Sequence, residues 1–154
     1  MLTRRWSILF GSAVCAMAYW ALAHTASSQT VPKMHKLLLQ VSDEDQVRYD
    51  LAIGMALAAQ RYYAGKGEQV QIEIVTYGRG ITMLRSDTSP VKDRLQELRT
   101  TIPGIILDMD ANAKMLAERR DGHEVIPLPG VRVVPAAIAM IIERQEEGYA
   151  YVRP

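Results

Sequence analysis

Short apolar runs bounded by polar residues recur along the chain, and each has the length of one strand rather than of a helix. Runs that stay apolar at successive positions are typical of strands in a parallel sheet that is covered on both faces. The second run, EQVQIEIVTY, first alternates and then becomes continuously apolar, which also indicates a strand. The predicted strands are 36–41, 68–77, 105–108 and 131–134.

Apolar residues recur at helical spacing between these runs, as Val47, Leu51 and Met55 do after the first strand. The acidic stretch 42–45 offers an N-cap to that helix, and Pro90 occupies the favoured first position of another. The predicted helices are 46–63, 90–100, 111–120 and 136–147, with a short extended segment over 149–154.

Strands and helices alternate throughout, with connections long enough for right-handed crossovers. We therefore predict a three-layer α/β sandwich with a mainly parallel sheet of four to five strands. All strands of a parallel sheet end at the same edge, and open α/β sheets bind their ligands there. The candidate ligand-binding residues in the turns at this edge are Ser42, Asp43, Tyr77, Gly78, Asp108, Asp110 and Asn112.

The stretch GIILDMDANAKM over 104–115 carries the most chemistry at this edge, and it supports two interpretations. In one, Asp108 and Asp110 form a carboxylate pair for acid–base work or for calcium or magnesium, completed by Ser42, Asp43 or Asn112. In the other, which we favour, Asp110 is the N-cap of the helix 111–120 and Asp108 ends the strand. We therefore predict neither a metal nor a cofactor.

The segment 1–26 resembles a targeting sequence. Arg4 and Arg5 precede an apolar core over 8–23, and Ala21-Leu22-Ala23 offers a small-x-small cleavage pattern. This predicts a signal peptide over 1–26, with an uncleaved anchor as the alternative, then a polar linker over 27–35 and one domain over 36–154. The predicted location is the periplasm.

Charge and cysteine content exclude several classes of function. The net charge is +1, without the basic stripe that nucleic-acid binding requires, so we expect no nucleic-acid partner. Cys15 is the only cysteine and lies in the predicted leader. Cleavage would leave a domain without disulfides, thiolate catalysis or cysteine metal ligands.

The remaining candidates for chemistry are each assigned a structural role. His35 and His123 lack partners at metal-ligand spacing and are predicted to lie at the solvated surface. The methionines fall mostly in apolar stretches, which predicts core packing. Gly78-Arg79-Gly80 lacks both the further glycine of a dinucleotide fingerprint and the lysine of a P-loop, which predicts a plain turn. Tyr149 and Tyr151 are predicted at a subunit interface.

Four segments together resemble the DsrE/DsrF-like family of sulfur-relay proteins, and more closely its exported single-domain members. These segments are KLLLQVSDEDQ, VQIEIVTYGRGITMLR, LPGVRVVPAAI and the chain end RQEEGYAYVRP. The similarity covers essentially all of 36–154. The chain end and the Val-Pro before the last helix are its more specific parts.

The resemblance implies a small α/β domain that assembles into trimers or hexamers. In the active members of the family, a cysteine just after the third strand carries sulfur as a persulfide. That site corresponds here to 108–112, where Met109 or Asp110 stands at the approximate place of the cysteine and Asn112 matches a following asparagine. Neither a thioether nor a carboxylate can hold a transferable persulfide, so sulfur transfer by the family mechanism is not expected.

These observations predict a non-catalytic, exported DsrE-like protein with a binding or accessory role linked to sulfur or redox metabolism. Its expected partners are further copies of itself and a protein of a sulfur or redox system. Membrane contact is expected only through an uncleaved leader. Two alternatives stay open: a carboxylate- or metal-dependent enzyme that uses the Asp108/Asp110 turn, and a sulfur carrier with an atypical mechanism.

Overall fold

The strands of the central sheet are β1 (Met34–Val41), β2 (Gln69–Thr76), β3 (Ile106–Asp110), β4 (Arg132–Val134) and β5 (Ala150–Val152). Their spatial order is β4, β3, β2, β1, β5, and every neighbouring pair is parallel. The computed structural model describes residues 33–154. It confirms the predicted α/β class with a parallel sheet, and the predicted terminal extended segment forms the fifth strand.

Four α-helices connect the strands: α1 (Gln46–Ala64), α2 (Lys92–Thr101), α3 (Ala111–Asp121) and α4 (Ala137–Glu146). A 3₁₀ helix, Gly78–Leu84, follows β2 directly, where the sequence predicts a turn and a short helical segment. The N-cap of α1 is Asp45, whose carboxylate accepts the Val47 backbone N–H at 2.9 Å. The predicted helix boundaries agree with the observed ones to within one or two residues.

Two cores of unequal size lie on the two faces of the sheet. The larger core packs α1, α2 and α3 against one face, with Leu39, Ile74 and Leu107 contributed by the strands. The smaller core packs α4 against Leu38 and Val75, which point the opposite way because strand residues alternate between faces. The sheet is therefore flanked by helices on both faces, consistent with the predicted three layers.

The start of the 3₁₀ helix is held tightly against the end of β1. The Gly80 N–H donates to the Ser42 carbonyl at 2.9 Å, and a Cβ on Gly80 would lie only 2.3 Å from the Val41 carbonyl oxygen. Gly78 has a φ of 56°, in the left-handed region that favours glycine. The turn after β2 therefore depends on both glycines, for two different steric reasons.

Two predicted boundaries are wrong. The linker expected over 27–35 overlaps β1, because Met34 and His35 already pair with Gln69 and Val70 of β2. The third strand continues to Asp110 instead of ending at Asp108, because pairing with β4 extends it. The signal peptide over 1–26 and the linker up to residue 32 lie outside the described residues. No helix within 33–154 is both long and apolar enough to cross a membrane.

Some predicted roles of single residues also change. His35 is not simply solvated: it stacks on Tyr63 with ring centroids 3.8 Å apart, and its Nε2 lies 2.8 Å from a Glu68 carboxylate oxygen. His123 is exposed, as expected. Tyr149 is buried in the smaller core, so the interface role predicted for it is wrong.

The methionines follow the core prediction only in part. Met83 and Met109 are fully buried, and Met140 is buried beneath α4. Met34, at the start of β1, and Met115, on α3, are exposed. Packing therefore explains the buried methionines, and the exposed ones lie outside the two cores.

Candidate functional site

The predicted ligand-binding residues lie at the carboxyl edge of the sheet, but they belong to separate hydrogen-bonded groups. Asp110 and Asn112 contact the start of α4, Asp108 lies within the sheet, and Ser42 and Asp43 contact the chain end. The edge predicted from the strand order is therefore present. It does not bring the acids together into one catalytic constellation.

Asp110 binds the N-termini of two helices with its two carboxylate oxygens. Oδ2 accepts the Ala113 backbone N–H of α3 at 2.9 Å, and Oδ1 accepts the Ala137 backbone N–H of α4 at 2.8 Å. Helix N-termini leave backbone N–H groups without internal partners, and a carboxylate satisfies them well. The interpretation of Asp110 as an N-cap is thus confirmed, and the residue also joins α4 to the same strand end.

Asp108 is fully buried and engaged in a bidentate ion pair. Arg132, its neighbour on β4, donates from Nε to Oδ1 at 2.7 Å and from Nη2 to Oδ2 at 2.8 Å. Paired N–H donors on a guanidinium match the two oxygens of a carboxylate. Asp108 and Asp110 share one face of β3, yet Asp108 is bound to Arg132 and Asp110 to the N-termini of two helices.

Glu73, in the middle of β2, is a second fully buried acid in the same network. One of its carboxylate oxygens accepts from Nη2 of Arg132 at 3.0 Å, and the other accepts from Nε of Arg144 at 2.8 Å. Burial and the hydrogen bond with Asp108 raise the pKa of Glu73 to about 7, although Arg144 acts in the opposite direction. Two acids and two guanidinium groups thus connect β2, β3 and β4 to α4.

Sequence reasoning missed this network. The strand VQIEIV places Glu73 between two isoleucines, and an acid flanked by buried apolar residues signals a buried charge that needs a partner. The arginines that pair with it lie 59 and 71 residues further along the chain, so only the fold brings them to it.

Ser42 and Asp43 bind the C-terminal segment. The Ser42 hydroxyl donates to the Asp43 carboxylate at 3.1 Å, and Arg153 contacts both side chains at 3.2 Å. These hydrogen bonds, from Ser42 first and then from Arg153, lower the pKa of Asp43. The pair therefore anchors the chain end beside β1, away from the buried acids.

Tyr77, Gly78 and Asn112 complete the predicted set. The half-buried Tyr77 packs against the smaller core together with Val134. Asn112 donates from its side-chain amide to the Pro135 carbonyl at 3.2 Å, which is a second link from α3 to the segment before α4. Gly78 lies at the mouth of a cavity. Among residues 33–154, no cluster of three or more His, Cys, Asp or Glu side chains has a geometry that could hold a metal ion.

That cavity, about 270 Å³ in volume, lies between the 3₁₀ helix and α3. Its wall is formed largely by small and apolar side chains, and Arg79 and Arg120 stand at its rim. The sequence predicts a plain turn at Gly78-Arg79-Gly80 and no role for Arg120, because neither position carries a local pattern typical of a binding site. The position of both arginines beside this cavity depends on the packing of α3 beside the turn after β2.

A larger cavity of about 510 Å³ lies at the opposite, amino edge of the sheet. Its lining includes His35 and Tyr63, with Glu147 and Gly148 from the turn before β5. None of the predicted site residues reaches it. The carboxyl edge therefore remains the candidate site, since the polar strand ends and the cavity of the 3₁₀ helix both lie there.

Comparison with known proteins extends the description of the fold. The chain is similar to the solved structure of a protein of unknown function, MTH1491 from Methanobacterium thermoautotrophicum, with a TM-score of 0.61 and 29% sequence identity. The match covers 78% of this chain and 99% of that protein. No protein-family model matches the chain, and no curated protein matches it. The comparison supports the α/β architecture and names no activity.

Proposed function

We propose that this chain is a non-catalytic, exported protein with a DsrE-like domain, which binds a partner or small ligand in an accessory role linked to sulfur or redox metabolism. The observation that carries the proposal is the state of Asp110, whose two oxygens each accept a backbone N–H from a different helix. A side chain engaged in this way serves as an anchor and is poorly placed to act as a base.

The absence of a suitable nucleophile supports the same proposal. The position that resembles the sulfur-bearing turn holds Asp110, and Cys15 in the predicted leader is the only cysteine of the chain. The neighbouring acid, Asp108, is already paired with Arg132 in a bidentate contact. These observations support a turn that resembles the sulfur-bearing turn of the relay family and lacks a group that could carry a persulfide.

Assembly and location form part of the proposal. The resemblance implies a trimer or hexamer, and α4 exposes two isoleucines that a monomer would leave in water. The charged and apolar features of 1–26 favour export through an N-terminal signal. The protein would then act as a homo-oligomer in the periplasm, beside a protein partner of a sulfur or redox system.

Native mass spectrometry of the protein purified from its own cell envelope tests the proposal. We expect an oligomer of the processed chain without a stoichiometric metal, free or with a non-covalent ligand. A divalent cation that is retained by the wild type and lost in Asp108→Asn would contradict the proposal and favour a metal-dependent enzyme.

Incubation with thiosulfate and with polysulfide tests the atypical sulfur carrier. We expect no stable mass increase of one sulfur atom on the processed chain, because it contains no thiol. The Cys15→Ala variant of the full chain is the control, since an unprocessed leader would supply that thiol. A sulfur adduct that persists in Cys15→Ala would overturn the non-catalytic assignment.

A further inference from the structure

The cavity beside the 3₁₀ helix has an apolar interior. Ile81, Ala113 and Ala117 are buried in its wall, and Leu116 from α3 is 60% exposed at its side. Its volume of about 270 Å³ lies just below the usual range of about 300–1,000 Å³ for ligand pockets. The interior therefore suits a small apolar group rather than a large cofactor.

Two arginines, Arg79 and Arg120, line this cavity, and the guanidinium of Arg120 is already paired with Asp121 through Nε and Nη2. Arg79 comes from the 3₁₀ helix and Arg120 from the last turn of α3, and both side chains are more than half exposed. Arginine presents several N–H donors in a planar arrangement that matches a carboxylate. A cavity with an apolar interior and two such groups at its rim complements a molecule with an apolar body and an anionic end.

A carboxylate of the chain itself already contacts this rim. Glu44, from the turn after β1, accepts a hydrogen bond from Nε of Arg79 at 3.1 Å, and Nη2 of Arg79 lies 3.1 Å from the same oxygen in an ion pair. Its charge also acts on Arg120: Asp121 is the first cause of the raised pKa of Arg120, and Glu44 adds to it. Glu44 therefore marks a position at which a carboxylate binds Arg79 at this rim.

The contacts of Glu44 are weak enough to be exchanged. Ion pairs between exposed side chains contribute little to stability, so replacing Glu44 by another carboxylate costs little. Asp121 is held more firmly, because it accepts from the buried Arg85 at 2.7 Å as well as from Arg120. The exchangeable acid at the rim is thus Glu44.

We propose that this cavity binds a small organic carboxylate, with its apolar body against Leu116 and its carboxylate between Arg79 and Arg120 in place of Glu44. This inference rests on the proposed binding function of the carboxyl edge and gives that function a ligand class. Glu44 then acts as an internal competitor that an incoming anion displaces.

Titration of the purified full chain with octanoate, followed by NMR, tests this inference. We expect saturable shifts at the backbone amides of Ile81 and Leu116. Arg79→Gln and Arg120→Gln should each weaken binding about tenfold, as expected when a hydrogen bond to a charged group is lost. Glu44→Gln should tighten binding about two- to fivefold, because the competing carboxylate is removed.

Two controls separate recognition of the carboxylate charge from non-specific hydrophobic binding. Arg119→Gln removes an exposed charge one residue from Arg120 and should leave the affinity for octanoate unchanged. 1-Octanol has the same alkyl chain without the charge, and its binding should not respond to Arg79→Gln. The inference is wrong if octanoate gives no saturable shifts, or if the variants of both rim arginines bind it as Arg119→Gln does.

The outcomes distinguish this inference from the function on which it rests. If octanoate fails to bind while the protein from the cell envelope holds another molecule at the carboxyl edge, the carboxylate assignment is wrong and the binding function stands. If octanoate binds as expected while the chain also carries a metal or covalent sulfur, the carboxylate site stands and the non-catalytic assignment is wrong.

Discussion

Asp110 caps two helices, whereas Asp45 caps one, and this difference predicts their effects on stability. Losing one cap costs about 0.5–2 kcal/mol, so Asp110→Ala should lower the free energy of unfolding by about 1–4 kcal/mol and Asp45→Ala by about 1 kcal/mol. Urea unfolding measures both values.

Asp110→Asn refines this comparison, because an amide has only one acceptor oxygen. It should keep one of the two caps and give an intermediate loss of stability. An Asp110→Ala variant that is no less stable than Asp45→Ala would show that the second contact, to the N–H of Ala137, contributes nothing.

The raised pKa of Glu73 should make the free energy of unfolding depend on pH. The titratable groups around Glu73 are Asp108 on β3, Arg132 on β4 and Arg144 on α4, with Tyr149 and Glu147 beyond them. The pKa of Glu73 is about 7 in the folded chain, compared with its ordinary value of 4.5. Between these pH values the folded chain keeps a proton that the unfolded chain has released, so the free energy of unfolding falls as the pH rises and levels off above about 7.

Glu73→Gln should remove this slope, since the side chain no longer titrates. Urea unfolding of the wild type and the variant at several pH values between 4.5 and 8 measures it. Glu124→Gln, at an exposed acid, is the matched control and should keep the slope of the wild type. The same slope in Glu73→Gln would assign the pH dependence to other groups.

At the scale of elements, two glycines predict opposite effects of the same substitution. Gly80→Ala would place a Cβ 2.3 Å from the Val41 carbonyl oxygen, so the junction of β1 and the 3₁₀ helix must shift. Such overpacking costs about 1–3 kcal/mol. Gly54 lies inside α1 with no atom within 4 Å of the added Cβ, so Gly54→Ala should stabilise by about 1 kcal/mol.

Thermal unfolding followed by circular dichroism measures both glycine variants. The expected result is a lower Tm for Gly80→Ala and a higher Tm for Gly54→Ala. If both variants lower the Tm, helix propensity does not govern position 54. If neither lowers it, the close approach of the 3₁₀ helix to β1 is relaxed in solution.

The positions of the strands also show where local sequence patterns are sufficient to predict structure. Apolar runs predict the first four strands, and burial on both faces explains the continuous hydrophobicity of β1 and β2. The chain end is predicted only as an extended segment, and pairing with β1 makes it the fifth strand. The sequence predicts the end of β3 two residues too early, since Asp108 and Asp110 resemble a strand end when their partners are unknown. Pairing with Arg132 and Val134 on β4 keeps both acids within the strand.

At the scale of the whole molecule, one face of the sheet is covered by α4, whereas the opposite face is covered by α1, α2 and α3. Ile138 and Ile142 on α4 are 55% and 53% exposed and lie one helical turn apart. A contiguous exposed apolar patch marks a contact surface, whereas single exposed apolar residues are ordinary. We therefore expect α4 to form part of the interface of the proposed homo-oligomer.

The double variant Ile138→Lys/Ile142→Lys should dissociate this oligomer to monomers, because burying two charges in an interface is costly. Sedimentation velocity measures the change. Val47→Lys/Leu51→Lys on α1 is the matched control, since these residues are also exposed and one turn apart. A monomeric wild type, or an oligomer that persists in the α4 variant, would contradict the interface.

The sequence predicts where the candidate site lies, but not which residues form its ion pairs and its rim. The edge follows from strand direction, and the capping role of Asp110 follows from its place before a helix. The roles of Glu73, Arg132 and Arg144 could not be predicted, because ion pairs between distant segments leave no local pattern. The same holds for Glu44, Arg79 and Arg120, which are unremarkable surface residues when each is considered alone.

The sequence by itself determined the α/β class and the order of strands and helices, and it indicated the carboxyl edge as the candidate site, because periodicity and capping act within a few residues. Only the tertiary structure decided how the acids are used. Asp110 binds two helices, Asp108 and Glu73 share two arginines, and Glu44 reaches the rim of the cavity. Each of these contacts joins segments that are brought together only when the sheet forms.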